Sequence, residues 1–362
     1  MSDRIGVLVI NFGEPPEPTL EGVTTFLERI FLQNAGLEPS HEAVSRAQHL
    51  ARDRAPGLLE EYEAIGGSPL NRQAVEQADA LEAHLRARGL DARTYSAFQF
   101  TEPGIDDAVR RAKADGVDRL VALPVYPICG RSTTVAALRD VRAALEDAEW
   151  TPPYSAVSGW HHHSAYESFR AEAIASFADE RGLDCSDPET VLYFSVHGTP
   201  IRFLDDGNRY DRYVDEHCRA VANRLGLDRY AVGFQNHTNR RIAWTQPDNE
   251  DEIERRPERD LLVVPIAFMH EQSETLSELD GELRDFTEGL GKGFHRAPVP
   301  HLDPRFTDFL ADLVQDLTAE GDVTHAAGSA MAPCRCAALP GVVCANGART
   351  LPPSPFTAQP TA

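Results

Sequence analysis

Two places in this sequence set a titratable side chain where an apolar run stops. The first is His197, which follows the run 191–196 and precedes Gly198. A neutral imidazole, with an ordinary pKa of about 6.5, accepts protons near neutral pH. The glycine after it lets the backbone turn close to a ligand. The second place follows the run 261–268, where Glu274, Glu278 and Glu282 recur every fourth residue and Glu271 stands three before the first. On a helix that spacing puts all four carboxylates on one face. The solvated face of an acidic protein would account for such a stripe. A ladder that starts where a buried strand ends could instead pass protons or hold a hard divalent cation. Strand ends converge on ligands in open α/β sheets, so the first glutamate is expected to face the same cleft as His197.

Other polar clusters carry less. Trp160-His161-His162-His163 sets its histidines side by side, where they do not converge on a metal, and reads as a loop that starts a helix. Gly66-Gly67-Ser68-Pro69 lacks the lysine of a phosphate loop and the spacing of a dinucleotide fingerprint; it suits close approach to a flat ligand, with Ser68 capping the next helix. The loop Asn236-His237-Thr238-Asn239-Arg240-Arg241 could hold ligand carboxylates.

Composition narrows the function classes. The 35 basic and 57 acidic residues leave a net charge of −22, which opposes binding to nucleic acid or an anionic membrane face. Only Lys113 and Lys292 are lysines. Apolar runs are about half the roughly 20 residues a membrane helix needs, so no transmembrane segment is expected, and peripheral membrane contact stays open. The N-terminal run is too short for a secretory signal core, which places the chain in the cytoplasm. Six cysteines without a secretory signal point to metal ligation or burial rather than to a disulfide framework.

The elements that must position these groups read as alternating strands and helices. Strand-like runs fall at 5–12, 92–100, 120–126, 154–159, 191–197, 230–235, 261–268 and 294–299, with proline-free Ala-, Leu-, Glu- and Arg-rich stretches such as 69–88 and 165–181 between them. Two sets of four echo each other. Asn11-Phe12-Gly13-Glu14-Pro15 matches Val196-His197-Gly198-Thr199-Pro200, Ala97-Phe98-Gln99 matches Gly233-Phe234-Gln235, and Leu123-Pro124-Val125 matches Val264-Pro265-Ile266. The expectation is α/β: a duplicated four-strand unit with a parallel sheet in each half. One half spans 1–152 and the other, carrying the metal site, 153–324; a cysteine-containing segment occupies 325–362 and from Thr350 reads as a disordered polar tail. A single eight-stranded sheet is the alternative.

Taken together, these motifs resemble the ferrochelatases. The likeness rests on Asn11-Phe12-Gly13, Gly66-Gly67-Ser68-Pro69-Leu70, Leu123-Pro124-Val125-Tyr126-Pro127 with Ser132-Thr133-Thr134, Phe194-Ser195-Val196-His197-Gly198, and Val263-Val264-Pro265-Ile266-Ala267-Phe268 with Glu274-Thr275-Leu276 and Glu278-Leu279-Asp280. The resemblance implies two flavodoxin-like halves around a porphyrin cleft, ferrous iron as substrate, a monomer or homodimer, and a role in haem biosynthesis. It makes His197, Glu274 and Glu278 the catalytic groups, with His197 and Glu274 at the iron, and sets Phe12, Ser68 and Tyr126 at the substrate. Two departures fall in the cleft. His270-Glu271-Gln272 stands where the family carries Ser-Asp-His, and Gln235-Asn236-His237-Thr238 replaces its Gln-Ser-Arg-Val. Phe12 occupies a position where the coproporphyrin-using branch carries tyrosine, which favours protoporphyrin IX.

Some ferrochelatases bind a 2Fe-2S cluster through one internal and three C-terminal cysteines. Cys129, Cys334, Cys336 and Cys344 resemble that set with different spacing, while Cys185 and Cys218 are expected to stand apart. The rivals to this reading are a cobalt or nickel chelatase of the same fold and a non-catalytic porphyrin- or haem-binding protein.

Overall fold

The computed structural model describes residues 3–35, 43–236, 242–319, 331–346 and 350–356. The eight expected runs form strands β1 (Ile5–Asn11), β2 (Ala92–Phe98), β3 (Arg119–Pro124), β4 (Tyr154–Val157), β5 (Thr190–His197), β6 (Tyr230–Gln235), β7 (Asp260–Pro265) and β8 (Gly293–Arg296). Two short strands follow, β9 (Ala332–Pro333) and β10 (Val342–Cys344). The first sheet runs β2-β1-β3-β4-β10-β9 and the second β6-β5-β7-β8. Within each set of four the order is the same and all pairings are parallel, which is what a duplicated flavodoxin-like unit requires. The single eight-stranded sheet is excluded. The first sheet has six strands rather than four, because β10 adds in parallel to β4 and β9 pairs antiparallel with β10.

The division between the sheets does not fall at residue 152. Strand β4 lies beyond that position and pairs with β3. The helix Pro304–Thr318 returns to pack on the first half, against β3, β4 and the helix α3 (Leu70–Ala87), where Arg88 is paired with Asp312 at 2.7 Å. That helix buries Phe306, Phe309, Leu310, Leu313, Val314 and Leu317, an apolar stripe at helical spacing that needs a partner surface.

Strands β1 and β5 are flanked by a strand on each side and covered on both faces. Every residue of β1 is buried, as is every residue of β5 before His197, as expected of central parallel strands. Each ends at a polar turn: Asn11-Phe12-Gly13 after β1, His197-Gly198 after β5. Gly13 has φ +80, and a Cβ there would run into Thr101 and Phe98, so the chain can turn inward only at glycine. The segments after β3 and β7 also correspond, since both begin in π-helical register, Arg131–Val135 and Glu274–Leu283.

Candidate functional site

The site is built where β5, β7 and the turn after β1 approach one another, in the wall of a cavity of about 560 Å³. His197, at the last position of β5, points its Nε2 toward Glu274 Oε1 at 3.4 Å. Its Nδ1 lies 2.6 Å from the carbonyl oxygen of Gly198. A carbonyl can only accept, so Nδ1 carries the proton and Nε2 keeps its lone pair. Burial lowers the pKa of this imidazole and keeps it neutral. Gly198 is required beside it, because a Cβ would collide with Asn236.

Glu274 opens the π-helical segment, and Glu278 lies one turn further along it. Sequence spacing predicts an ordinary helix here, but the ten residues Glu274–Leu283 take the wider i→i+5 turn. Gln272 Nε2 donates to Glu274 Oε2 at 3.0 Å, and Gln235 Nε2 donates to Glu278 Oε2 at 2.9 Å. Burial is the leading cause that raises both carboxyls above the ordinary range; Glu14 adds to it at Glu274, and Glu274 adds to it at Glu278. His197 and Glu274 nonetheless keep 32% and 21% of their side-chain surface open, so water reaches them from the cavity. The ladder has fewer members than expected. Glu271 precedes the helical segment and is held by Arg296 at 2.8 Å and by the Val299 amide at 2.9 Å, while Glu282 lies exposed outside the cavity.

The remaining walls are apolar and aromatic. Phe12 packs on Phe100 at 4.5 Å and on Phe26 at 6.1 Å, and Ile30, Phe31, Leu58, Ile128, Phe203 and Trp244 continue the surface. Phe26, Ile30 and Phe31 come from α1 (Leu20–Gln33) and Leu58 from α2 (Ala43–Ala64), two helices packed against each other. Tyr126 lines the cavity and donates its hydroxyl to Gln99 Oε1 at 2.6 Å. Ser68 does not line it: its hydroxyl donates to Glu14 and accepts from the Leu70 amide at 3.2 Å at the start of α3. His270 is buried at the cavity wall, its Nε2 has no hydrogen-bond partner among the described residues, and its ring centroid stands 6.2 Å from that of His301. Of the loop 236–241, only Asn236 falls within the described residues.

Glu14 escaped the sequence reading. It is 4% exposed, lines the cavity and lies inside the first half with hydroxyl partners from both halves. The signal was present: Glu14 follows Gly13 at the end of β1, the position that Thr199 takes after β5.

A second cavity, about 30 Å³, is lined by Cys129, Cys334, Cys336 and Cys344 together with Tyr213, Glu216 and Asn346. Cys129 comes from the loop after β3, Cys334 follows β9, and Cys344 closes β10. Hydrogen bonds from Cys129 and Cys336 hold the Cys334 thiol far below its usual pKa, and the Ala337 amide donates to the same sulfur at 3.1 Å. Tyr213 Oη lies 3.1 Å from Cys336 Sγ. Among the described residues, no group of three or more His, Cys, Asp or Glu side chains is arranged to hold a metal ion. Cys185 and Cys218 are buried away from this cavity. His163 caps the helix Ser164–Arg181, and His161 Nε2 pairs with Glu216 at 2.9 Å, so the histidine run does not converge on one centre.

The tail past residue 350 is packed rather than loose through residue 356. Leu351 and Phe356 are buried, and the Phe356 ring lies 5.2 Å from that of Phe234. Single apolar residues docking into grooves leave no periodicity to read.

A family model described as ferrochelatase matches residues 4–317. A ferrochelatase of Synechococcus sp. (strain RCC307) is 32% identical over 333 residues, covering 88% of this chain and 84% of its own length. A ferrochelatase of Geotalea uraniireducens is 31% identical over 325 residues, covering 87% and 98%. Among solved structures, SirB of Bacillus subtilis with Fe3+ aligns at a TM-score of 0.52 and 10% identity over 86% of this chain and 95% of its own, which supports the fold.

Proposed function

The chain belongs to the ferrochelatase family and inserts ferrous iron into a porphyrin in haem biosynthesis, and from that premise we propose that His197, Glu274 and Glu278 carry the chemistry. Insertion replaces two pyrrole N–H protons with one Fe(II), so the site must present the metal and accept two protons. The observation that supports the assignment is the facing pair His197 Nε2 and Glu274 Oε1 at 3.4 Å. Two acceptors at that separation repel unless a proton or a cation lies between them. A first-row divalent ion bonded at about 2 Å to each would span the gap. Mixed nitrogen and oxygen ligation suits iron(II) without the hold of a thiolate site. One Nε2 lone pair cannot hold the metal and take a proton at once, so His197 would accept one pyrrole proton as the iron leaves it for the macrocycle, and the Glu274 carboxylate, freed in the same step, would accept the second. Glu278, one turn beyond Glu274, takes protons onward.

The cavity supports a macrocyclic substrate: its volume lies within the roughly 300–1,000 Å³ of small-molecule pockets, and Phe12, Phe26, Phe31, Phe100, Phe203 and Trp244 line it. Phe12 supplies a ring edge and no hydroxyl, which favours protoporphyrin IX over coproporphyrin. Phe12 and Tyr126 are assigned to substrate contact, and Ser68 to support behind the site through Glu14. We place the reaction in the cytoplasm; among the described residues no helix is long and apolar enough to cross a membrane.

The four cysteines around the second cavity are proposed to hold a 2Fe-2S cluster. Their convergence from three separate segments supports this; of the four thiols only Cys334 is held below its usual pKa, while Cys129, Cys336 and Cys344 are held above it. Cys129, Cys334 and Cys336 are free thiols hydrogen-bonded to one another, so binding requires the thiols other than Cys334 to deprotonate and turn to a common centre. Such a cluster would supply one-electron redox chemistry, and no step of insertion is routed through it.

An anaerobic assay with iron(II) and protoporphyrin IX tests the function. Zinc-, cobalt- or nickel-only turnover would favour a sibling chelatase, and tight porphyrin binding without turnover a binding protein.

A further inference from the structure

Glu14 is a buried carboxylate that iron insertion, as assigned above, does not use. Its main chain is fixed twice by the Asn71 amide: the Glu14 N–H donates to Asn71 Oδ1 at 2.9 Å, and Asn71 Nδ2 donates to the Glu14 carbonyl at 2.7 Å. Its carboxylate accepts four hydrogen bonds from three segments. Tyr62 of α2 donates at 2.9 Å, Ser68 donates from the turn before α3, and Ser273 donates both its hydroxyl, at 2.5 Å, and its main-chain N–H, at 3.3 Å. Among the described residues, no lysine or arginine pairs with it. Burying a carboxyl among neutral donors is unfavourable compared with an apolar side chain, unless the bonds serve to specify position.

Ser273 shows what is positioned. It stands directly before Glu274 in the first turn, with helical φ −54 and ψ −43, and its side chain makes no capping bond to its own helix. The hydroxyl is committed to Glu14 instead. The residue that sets the direction of the Glu274 side chain is therefore tied across the cleft, to α2 and to the turn before α3.

We propose that Glu14 is a positioning residue for iron insertion: by clamping Ser273 to Tyr62 and Ser68, it holds the first turn of the π-helical segment so that Glu274 faces His197. This rests on the assignment of His197 and Glu274 above. Misplacing a reacting group by about 1 Å costs up to about 100-fold in rate. Glu14, Tyr62 and Ser273 line the same cavity, but the aromatic wall of Phe12, Phe26 and Phe100 makes none of the clamp's hydrogen bonds.

The test is a double-variant cycle on full-length protein, with kcat and the porphyrin and iron KM measured anaerobically and porphyrin affinity read by fluorescence quenching. Glu14→Gln cannot accept from all four donors, and Ser273→Ala removes the hydroxyl. Each is expected to lower kcat by about tenfold or more with porphyrin affinity within about threefold, and the double variant to be no worse than the poorer single. Ser273→Thr keeps the hydroxyl and should restore kcat, which also serves if Glu14→Gln fails to fold. Additive losses, equal turnover in Ser273→Ala and Ser273→Thr, or porphyrin affinity falling in step with kcat would overturn the proposal. If His197→Ala and Glu274→Gln keep full turnover, the underlying site assignment falls. If those two are inactive while Glu14→Gln turns over normally, the clamp alone falls.

Discussion

His197 Nε2 and Glu274 Oε1 face each other at 3.4 Å, one at the end of β5 and the other on the first residue of the π-helical segment that follows β7. Neither atom has a proton to offer when the imidazole is neutral with Nδ1 bound to Gly198 and the carboxyl is ionised. Burial raises the Glu274 carboxyl to about 8, so near neutral pH it largely keeps its proton, and only its ionised form leaves two acceptors facing each other at the cavity, backed by Glu278.

Removing one side of the pair should stop chemistry before it stops binding. His197→Ala is expected to lower kcat by roughly 10²–10⁴, the usual scale for losing a general base, while porphyrin affinity changes only a few-fold. Glu274→Gln, nearly isosteric, should behave alike, and Glu278→Gln should be milder. Steady-state kinetics with a parallel porphyrin titration checks this; near wild-type turnover in His197→Ala would shift the base to His270.

The acid limb of activity should lie well above the ordinary carboxylate range. Burial raises Glu274 and Glu278, and only their ionised forms hold a cation or accept a proton. His197 is lowered and stays neutral over the same interval. Turnover is thus expected to climb as pH rises through the carboxyl titration, rather than to be complete by about pH 5. A pH profile of kcat/KM for iron already flat from pH 5 upward would refute this.

From about pH 7.5 to about 5.5 His270 should subtract stability, against the gain from Glu274 and Glu278, whose raised carboxyls bind protons in the folded chain before they do in the unfolded one. Burial depresses the His270 pKa from 6.5 to about 3 in the folded protein. Below about 6.5 the unfolded chain binds a proton at His270 that the folded chain refuses, so this share of stability is lost as pH falls from there toward 3, at about 1.4 kcal/mol per pH unit. Urea unfolding at about pH 7.5 and 5.5 is the measurement. His270→Leu should remove that share, leaving the protein at the lower pH more stable relative to the higher pH than the wild type is, and an unchanged difference would count against a neutral buried His270.

Protein purified without oxygen should be red-brown, with iron and sulfide in near-equal amounts, if the cysteines around the second cavity hold a cluster. Cys334→Ser should bleach it and Cys185→Ser should not. Colourless, iron-free wild-type protein would dispose of the cluster.

Strand content was legible because parallel strands buried on both faces read as continuous apolar runs, and the duplication because Asn11-Phe12-Gly13 and Val196-His197-Gly198 repeat at matching offsets. His197 and Glu274 were legible for the same reason: each follows the end of such a run. Glu271 misled, since a four-residue period cannot tell a carboxylate on the ladder from one claimed by Arg296.

By itself, then, the sequence determined the fold class, the repeat and the identity of the facing pair, all consequences of local pattern along one strand or helix. Tertiary structure alone decided the rest. The return of the helix Pro304–Thr318 and of β10 to the first sheet depends on which surface is left uncovered after the halves form. The gathering of Cys129 with Cys334, Cys336 and Cys344 depends on that return. The clamp from Glu14 to Ser273 spans 259 positions, and no period or motif encodes a hydrogen bond between residues that distant until the sheets have brought them together.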